Sequence, residues 1–174
     1  DPDCERIVLA FHSPGGTVTG IPELAAKIRD IGTRKDVIAY SDGMCCSAAL
    51  WLASQAETFL VSPSSIIGSV GVRCLVLDES ERLAKEGVKV ESFTSGEFKD
   101  MGASYKPLTD DERAMFKARV DGIGKAFRAA LTASRTIAAE DMEGQTFSGE
   151  EAVAKGFADG LADDLDEVLE IAAG

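Results

Sequence analysis

The sequence predicts an α/β protein with a mostly parallel sheet covered by helices and with further helices at the C-terminus. Short apolar segments rich in β-branched residues, at positions 6–11, 37–40 and 58–61, alternate with segments of helical pattern. Alternation of this kind is typical of a parallel sheet with helices on its faces. The 174 residues, 45% of them hydrophobic, are enough for one core, so we predict a single domain over residues 1–174.

The N-terminal half supplies most of the predicted strands. Residues 6–11 form a buried strand that the turn Ser13-Pro14-Gly15-Gly16 ends. A helix at 21–31 begins near Pro22, and an apolar helix is predicted at 46–56 between the strands at 37–40 and 58–61. A glycine-rich segment follows at 68–72, then a short helix at 78–86 and a further strand at 89–93.

The C-terminal part is helical. The capping sequence Thr109-Asp110-Asp111-Glu112 opens a long helix over 110–135. Ser148 caps a helix at 150–155, Gly156 ends it, and an amphipathic helix closes the chain at 164–172. The apolar stripe of the long helix serves the core or a contact between copies and consists of Phe116, Val120, Ile123, Phe127 and Leu131.

Charge excludes some classes of partner. The chain has 18 basic and 30 acidic residues, a net charge of −12, which repels nucleic acid and anionic lipid. The longest apolar run, residues 45–53, is too short to span a bilayer, so we expect a cytoplasmic protein in a bacterial or phage-infected cell. Because the chain starts with Asp1 rather than Met, the sequence leaves open a membrane anchor outside the chain. The four cysteines are expected to be reduced and buried, with no metal or organic cofactor.

Ser47 is the candidate nucleophile. It stands where a strand, a turn and an apolar helix meet, and small residues follow it. A serine at a helix start is usually only a cap. The free N–H groups and positive dipole end of a helix start also stabilise an oxyanion, which is what a serine nucleophile needs.

The turn that contains Gly15 and Gly16 has two interpretations. It is either an ordinary strand-to-helix turn or a loop that directs a backbone N–H at a substrate carbonyl. Glycine suits the second use because no side chain obstructs its approach. A phosphate loop is excluded because the Lys-Ser/Thr ending is missing.

A serine nucleophile needs a base, and two side chains are candidates. His12 is the only histidine, but no acid in the sequence is evidently placed to orient it. Lys99 lies just past the predicted strand at 89–93, where a lysine is usually a surface residue. A lysine acts as a base when burial favours its neutral amine.

The order of these motifs resembles the signal peptide peptidase A family of Ser/Lys peptidases over nearly the whole chain. The matching segments are Ser13-Pro14-Gly15-Gly16, Cys46-Ser47-Ala48-Ala49, residues 68–72, residues 95–102 and the closing segment 145–159. Within the family, residues 47–54 are more similar to the bacteriophage capsid-maturation branch. The chain departs from the family in having one strand before the glycine turn and in lacking an arginine near Thr146.

The resemblance implies a Clp protease/crotonase-like fold and the site residues. Ser47 is then the nucleophile, Lys99 the general base and Ser69 a hydroxyl that holds the lysine. Gly15 and Ala48 become oxyanion donors. Gly16 is the alternative donor that the glycine turn offers by itself, without the resemblance. It also implies extended polypeptide substrates, including scaffold, portal or capsid proteins, and a homo-oligomer.

The function expected from the sequence is therefore a serine endopeptidase that cleaves polypeptides through an acyl-enzyme, in phage capsid maturation or signal-peptide degradation. Two alternatives remain open. One is a crotonase-type acyl-CoA enzyme, in which Ser47 has no role. The other is a non-catalytic assembly protein on the same fold.

Overall fold

The computed structural model describes residues 4–173 and contains strands and helices in alternation. The strands are β1 Arg6–Ala10, β2 Asp36–Ser41, β3 Met44–Cys46, β4 Thr58–Val61, β5 Ile66–Gly68, β6 Thr146–Ser148 and β7 Gly160–Leu161. The helices are α1 Ile21–Gly32, α2 Ala48–Ala53, α3 Ser80–Lys85, α4 Asp110–Thr132, α5 Gly149–Ala154 and α6 Leu165–Ala173, with a 3-10 turn at Ala139–Asp141.

The strands form two small sheets. The first has four parallel strands in the order β1-β2-β4-β7, and the second has the order β3-β5-β6 with β6 antiparallel to β5. The mainly parallel α/β architecture is confirmed. It is divided between two sheets because Asp42 and Gly43 turn the chain out of β2 and into β3.

The core lies under the four-stranded sheet and around α2. Ile38, Tyr40 and Leu60 on the central strands pack with Val168 of α6. Trp51 of α2 stacks on Phe127 of α4, with ring centroids 4.8 Å apart and planes 6° apart. Offset stacking of this kind adds to the stability that burial of the two rings provides. Phe127 and Leu131, at the C-terminal end of the apolar stripe of α4, therefore belong to the core rather than to a contact between copies.

The chain divides into two compact units, one of them Val72–Ile123 and the other the remaining described residues. The larger unit, which consists of the remaining residues, holds both sheets. The Val72–Ile123 unit contains α3 and the beginning of α4, where Thr109 and Glu112 form a capping box. Glu112 N–H donates to Thr109 Oγ1 at 3.2 Å and Thr109 N–H donates to Glu112 Oε2 at 3.0 Å. The single-domain description of residues 1–174 stays a prediction.

One predicted strand was wrong, and one predicted helix is shorter than expected. Residues 89–93 carry a strand pattern, but the structure has no strand there and leaves Phe93 91% exposed. A strand forms only where a neighbouring strand takes up its hydrogen bonds, which local pattern does not report. The helix predicted at 46–56 begins only at Ala48 and ends at Ala53, because the residues before Ser47 pair with β5 as a strand.

Candidate active site

Ser47 lies at a sharp turn between β3 and α2. Its backbone is strained, with φ 52° and ψ −121°, and its side chain makes no capping hydrogen bond within the described helix. Ordinary N-cap residues are extended and use their side-chain oxygen on the helix. Ser47 does neither, so its hydroxyl is left for another use. A serine on a strained strand-to-helix turn is the arrangement that presents a nucleophile in hydrolases.

Hydrogen bonds on both sides fix the Ser47 backbone. Its N–H donates to the Gly68 carbonyl at 2.9 Å, and its carbonyl accepts from Trp51 N–H at 3.0 Å. One bond ties the turn to β5 and the other starts α2. The half-buried Ser47 side chain is therefore oriented by backbone contacts from two elements.

The glycine turn lies directly against Ser47. Ser13 N–H donates to the Met44 carbonyl at 2.6 Å and Cys46 N–H donates to the Ser13 carbonyl at 3.1 Å, which fastens the loop along β3. Gly15 has φ 104°, and a Cβ there would come within 2.6 Å of the Ser47 Cβ. Both the backbone angle and the space require glycine at this position.

The three predicted oxyanion donors differ in their surroundings. Ala48 is buried and begins α2, where helix geometry leaves the N–H without an intrahelical acceptor. Its nitrogen lies 3.1 Å from the position of a Cβ on Gly15, so the two residues adjoin. Gly15 N–H, however, donates to the Ser13 Oγ at 3.2 Å. Gly16 is exposed, and no described atom lies within 4 Å of a Cβ built on it.

Ser69 adjoins the same turn. Its φ of 55° makes it, with Ser47, one of two non-glycine residues with positive φ in the described chain. Ser69 N–H donates to the Gln145 carbonyl at 2.6 Å. The preceding residue, Gly68, receives the Ser47 N–H, so the structure brings Ser47, Ser69, Gly15 and Ala48 into one region.

Lys99 belongs to the Val72–Ile123 unit, which is described by itself. It is exposed and lies in a turn in which its N–H donates to the Gly96 carbonyl at 3.1 Å. The adjacent Asp100 accepts a hydrogen bond from the Tyr105 hydroxyl at 2.5 Å. Hydrogen bonds from Ser92 and Tyr105 lower the pKa of Asp100 below its ordinary value. The Asp100 carboxylate thus accepts hydrogen bonds from hydroxyl groups of its own unit.

His12 has an acidic neighbour that sequence reasoning missed. Its Nδ1 lies 3.8 Å from Asp42 Oδ1, with both side chains largely exposed. Asp42 is distant from His12 along the chain, and the turn after β2 brings it close. An exposed pair at this distance contributes little to orienting an imidazole.

The cysteines beside Ser47 are inert. Burial raises the pKa of the Cys45 and Cys46 thiols, and Cys46 Sγ donates to the Ile66 carbonyl at 3.3 Å. A buried protonated thiol does not compete with a serine nucleophile. Burial was predicted for all four cysteines and is wrong for two, since Cys74 is exposed and Cys4 is partly exposed.

Two further contacts were missed in the sequence. The Gln145 carbonyl accepts a hydrogen bond from Ser69 N–H. The one sequence feature that pointed to Gln145 was its place at the start of the closing segment 145–159. Arg135 is buried and forms an ion pair with Asp159, and its Nη2 donates to the Ala56 carbonyl at 3.1 Å. No pattern marks an arginine as buried, because its partners come from distant parts of the chain.

A glycine loop over a strained serine, between a strand and a helix in a mainly parallel α/β fold, is the arrangement of hydrolases that use a serine nucleophile. Residues 29–173, more than half of the chain, match the family described as Peptidase family S49. The chain belongs to this peptidase family. The family resemblance read from the sequence motifs is confirmed.

Curated relatives include two phage proteins. The Capsid assembly protease C of Escherichia phage lambda is 33% identical over 97% of this chain and 39% of its own length. The Head-tail preconnector protein GP5 of Enterobacteria phage P21 is 30% identical over 97% of this chain and 34% of its own length. The chain thus spans well under half the length of these relatives.

Among solved structures, a mutant of the 1510-N membrane-bound stomatin-specific protease superposes with a TM-score of 0.50. It is 16% identical, and the match covers 95% of this chain and 68% of that one. At this identity the likeness shows the fold alone, and the predicted Clp protease/crotonase-like class is confirmed. Across residues 4–173, no helix combines the length and apolar character needed to cross a bilayer.

Proposed function

We propose that this chain is a serine endopeptidase in which Ser47 attacks the peptide bond. The observation that carries the proposal is the Ser47 turn. Its hydroxyl is free of any capping role, its backbone is strained, and Gly15 leaves space beside it that any side chain would fill. Membership of Peptidase family S49 supports the same activity.

The proposed reaction proceeds through an acyl-enzyme. The neutral amine of Lys99 takes the Ser47 hydroxyl proton while Oγ forms a bond to the substrate carbonyl carbon. The peptide C–N bond then breaks, and the leaving amine takes the proton from the lysine. Water hydrolyses the ester by the same route. Ser69 contributes a hydroxyl that holds the lysine. The roles of Lys99 and Ser69 rest on their motif positions.

Backbone N–H groups stabilise the negative charge that develops on the carbonyl oxygen of the substrate. Ala48 is the first donor in this proposal, because it is buried at a helix start beside Gly15 and Ser47. The Gly15 N–H, which donates to the Ser13 hydroxyl oxygen, becomes the second donor once that bond opens. Gly16 is the alternative donor in the same loop.

The substrates are extended polypeptides with small or apolar residues before the cleaved bond. The phage relatives named for capsid assembly and head-tail connection favour scaffold, portal or capsid proteins over signal peptides. We place the reaction in the cytoplasm of a phage-infected cell. We further propose a homo-oligomer, for which Leu165 and Leu169, exposed one turn apart on α6, offer an apolar contact.

Labelling with a serine-reactive fluorophosphonate tests the activity. Mass spectrometry is expected to find the adduct on Ser47 in the native chain and no adduct in Ser47→Ala. The exposed Ser64→Ala is the matched control and is expected to be labelled like the native chain. Absence of an adduct on Ser47, together with a thermal shift on adding acyl-CoA, would favour the crotonase-type alternative. Absence of both would favour a non-catalytic assembly protein.

Light scattering tests the oligomer. We expect a mass that is a multiple of 18.3 kDa and that falls when Leu165 and Leu169 are both replaced by Gln. A strict monomer at high concentration would remove the oligomer while leaving the peptidase proposal in place.

A further inference from the structure

Ser69 is held in a strained conformation by the segment that leads into β6. Its φ of 55° is unusual for a residue with a side chain. Such a conformation persists only where the surroundings determine it. Two contacts hold it: the Ser69 N–H donates to the Gln145 carbonyl at 2.6 Å, and the preceding Gly68 pairs with Thr146 of β6.

The same carbonyl also sets the position of Ser47. Gly68 has φ 130°, and a Cβ there would lie 2.5 Å from the Gln145 carbonyl oxygen, so the two backbones are in direct contact. The carbonyl of Gly68 in turn receives the Ser47 N–H at 2.9 Å. A shift of Gln145 therefore reaches Ser69 directly and Ser47 through Gly68.

The Gln145 side chain closes the turn that precedes it. Its Nε2 donates to the Glu140 carbonyl at 2.8 Å, and its Oε1 accepts from Glu143 N–H at 2.9 Å. The turn also contains Gly144 with φ 100°. Gln145 thus fixes the loop locally, but these bonds do not attach the loop to the body of the protein.

The pairing of β6 with β5 attaches the C-terminal side of the loop, and Lys155 adds a second attachment. Lys155 is the C-cap of α5, and its Nζ lies 2.7 Å from Asp141 Oδ1 and 4.9 Å from the centroid of the Phe147 ring. Asp141 precedes Gln145 and Phe147 follows it, so one ammonium contacts the loop on both sides. The Asp141 side chain is only 16% exposed, which makes this pair less screened than an ordinary surface pair.

We infer that Asp141 and Lys155 are positioning residues for the active site. Together with the pairing of β6 and β5, their ion pair holds the Gln145 carbonyl against Gly68 and Ser69 and so contributes to the relative placement of Ser69 and Ser47. Neither side chain touches the reacting atoms. The inference rests on the proposed function, in which both serines take part.

The test compares two ion pairs of the same chain. Asp141→Asn removes the charge with little change in shape, and Lys155→Met removes the cation but keeps an apolar stem. The matched control is Asp30→Asn in the exposed pair with Arg34, whose atoms are 2.6 Å apart. Two quantities are measured, the hydrogen exchange of the Ser69 amide by NMR and the rate at which Ser47 reacts with the fluorophosphonate.

We expect Asp141→Asn and Lys155→Met each to speed exchange of the Ser69 amide and to slow labelling of Ser47 about 10-fold. Peptide cleavage is expected to lose kcat with KM little changed. Lys155→Arg keeps the cation over Phe147 and is expected to stay within about 3-fold of the native labelling rate. Asp30→Asn is expected to change neither quantity.

The inference is overturned if Lys155→Met behaves like Asp30→Asn in either measurement. Lys155→Met and Lys155→Arg decide the question if Asp141→Asn fails to fold. Failure of the native protein to react at Ser47 would instead defeat the proposed function. In that event the exchange of the Ser69 amide alone would still decide whether the pair holds the loop.

Discussion

The two compact units hold their proposed catalytic residues in opposite ways. Ser47, in the unit with both sheets, has backbone hydrogen bonds to β5 and within α2, and Gly15 is pressed against it. Lys99, in Val72–Ile123, is exposed and belongs to a turn. Contacts with two elements therefore hold the proposed nucleophile, whereas Lys99 lies exposed on a turn.

The contrast extends to the surroundings of each residue. The stretch around Ser47 runs through buried Cys46, Ala48 and Leu50, whereas the Lys99 unit exposes Leu75 by 81% and Phe93 by 91%. A lysine base requires burial that favours the neutral amine. Within residues 4–173, backbone contacts hold the proposed nucleophile in place, and the proposed base stays exposed.

Replacing the nucleophile should have the largest effect. Ser47→Ala is expected to lower peptide cleavage by about 10⁴-fold or more, because no other group forms the acyl-enzyme. The fold should survive, since the hydroxyl makes no capping bond. Cleavage is followed on a peptide and the fold by circular dichroism. Undiminished cleavage would show that the fixed turn is not the catalytic one.

Replacing the base comes next. Lys99→Arg is expected to lower kcat by about 10²–10⁴-fold, because guanidinium keeps its proton and cannot accept another. An exposed lysine on the same unit, Lys85→Arg, is the control and should leave kcat unchanged. Native rates in Lys99→Arg would remove the lysine from the mechanism.

Filling the space beside Ser47 tests how tightly the nucleophile is fixed. Gly15→Ala places a Cβ 2.6 Å from the Ser47 Cβ at a φ of 104°. We expect cleavage to fall about 10²-fold and stability to fall by about 1–3 kcal/mol. Gly32→Ala, whose Cβ meets no described atom within 4 Å, should change neither. Equal behaviour of the two variants would mean that the close contact is not required.

The contribution of Glu112 to the stability of the Val72–Ile123 unit should fall in acid. Glu112 is buried and its pKa is lowered, first by the hydrogen bond from Lys106 and then by that from Thr109 N–H. A lowered pKa contributes stability above the unfolded pKa and loses it as pH falls through the folded value. Unfolding of native protein and Glu112→Gln, compared from pH 7 down to about 3, should show the difference between them shrinking toward the acid end. A constant difference would contradict this.

The smallest effect is expected at His12. His12→Gln should retain cleavage within about 2-fold, because its contact with Asp42 is long and exposed. A pH profile governed by a group near ~6.5 and lost in this variant would make histidine the base. Asp42→Asn serves as the companion variant and should behave like His12→Gln.

Sequence patterns predicted the elements whose signal is local. The strands β1, β2 and β4 are apolar runs between turn residues, and the caps at Thr109 and Ser148 are short-range motifs, so both appear in the structure as expected. The order of motifs around Ser47, Ser69 and Lys99 was sufficient to predict the peptidase family. Strands β5, β6 and β7 were not predicted because each has only two or three residues and is defined by its partner.

The sequence by itself determined the fold class, the family and the residues proposed for the chemistry, because these depend on residue types and their order. Only the tertiary structure decided that the Ser47 side chain makes no capping hydrogen bond, that Gly15 adjoins it, and that the Gln145 carbonyl accepts from Ser69 N–H. It also showed residues 89–93 to be unpaired despite their strand pattern. These facts depend on which distant segments meet and which do not, and no local pattern encodes that.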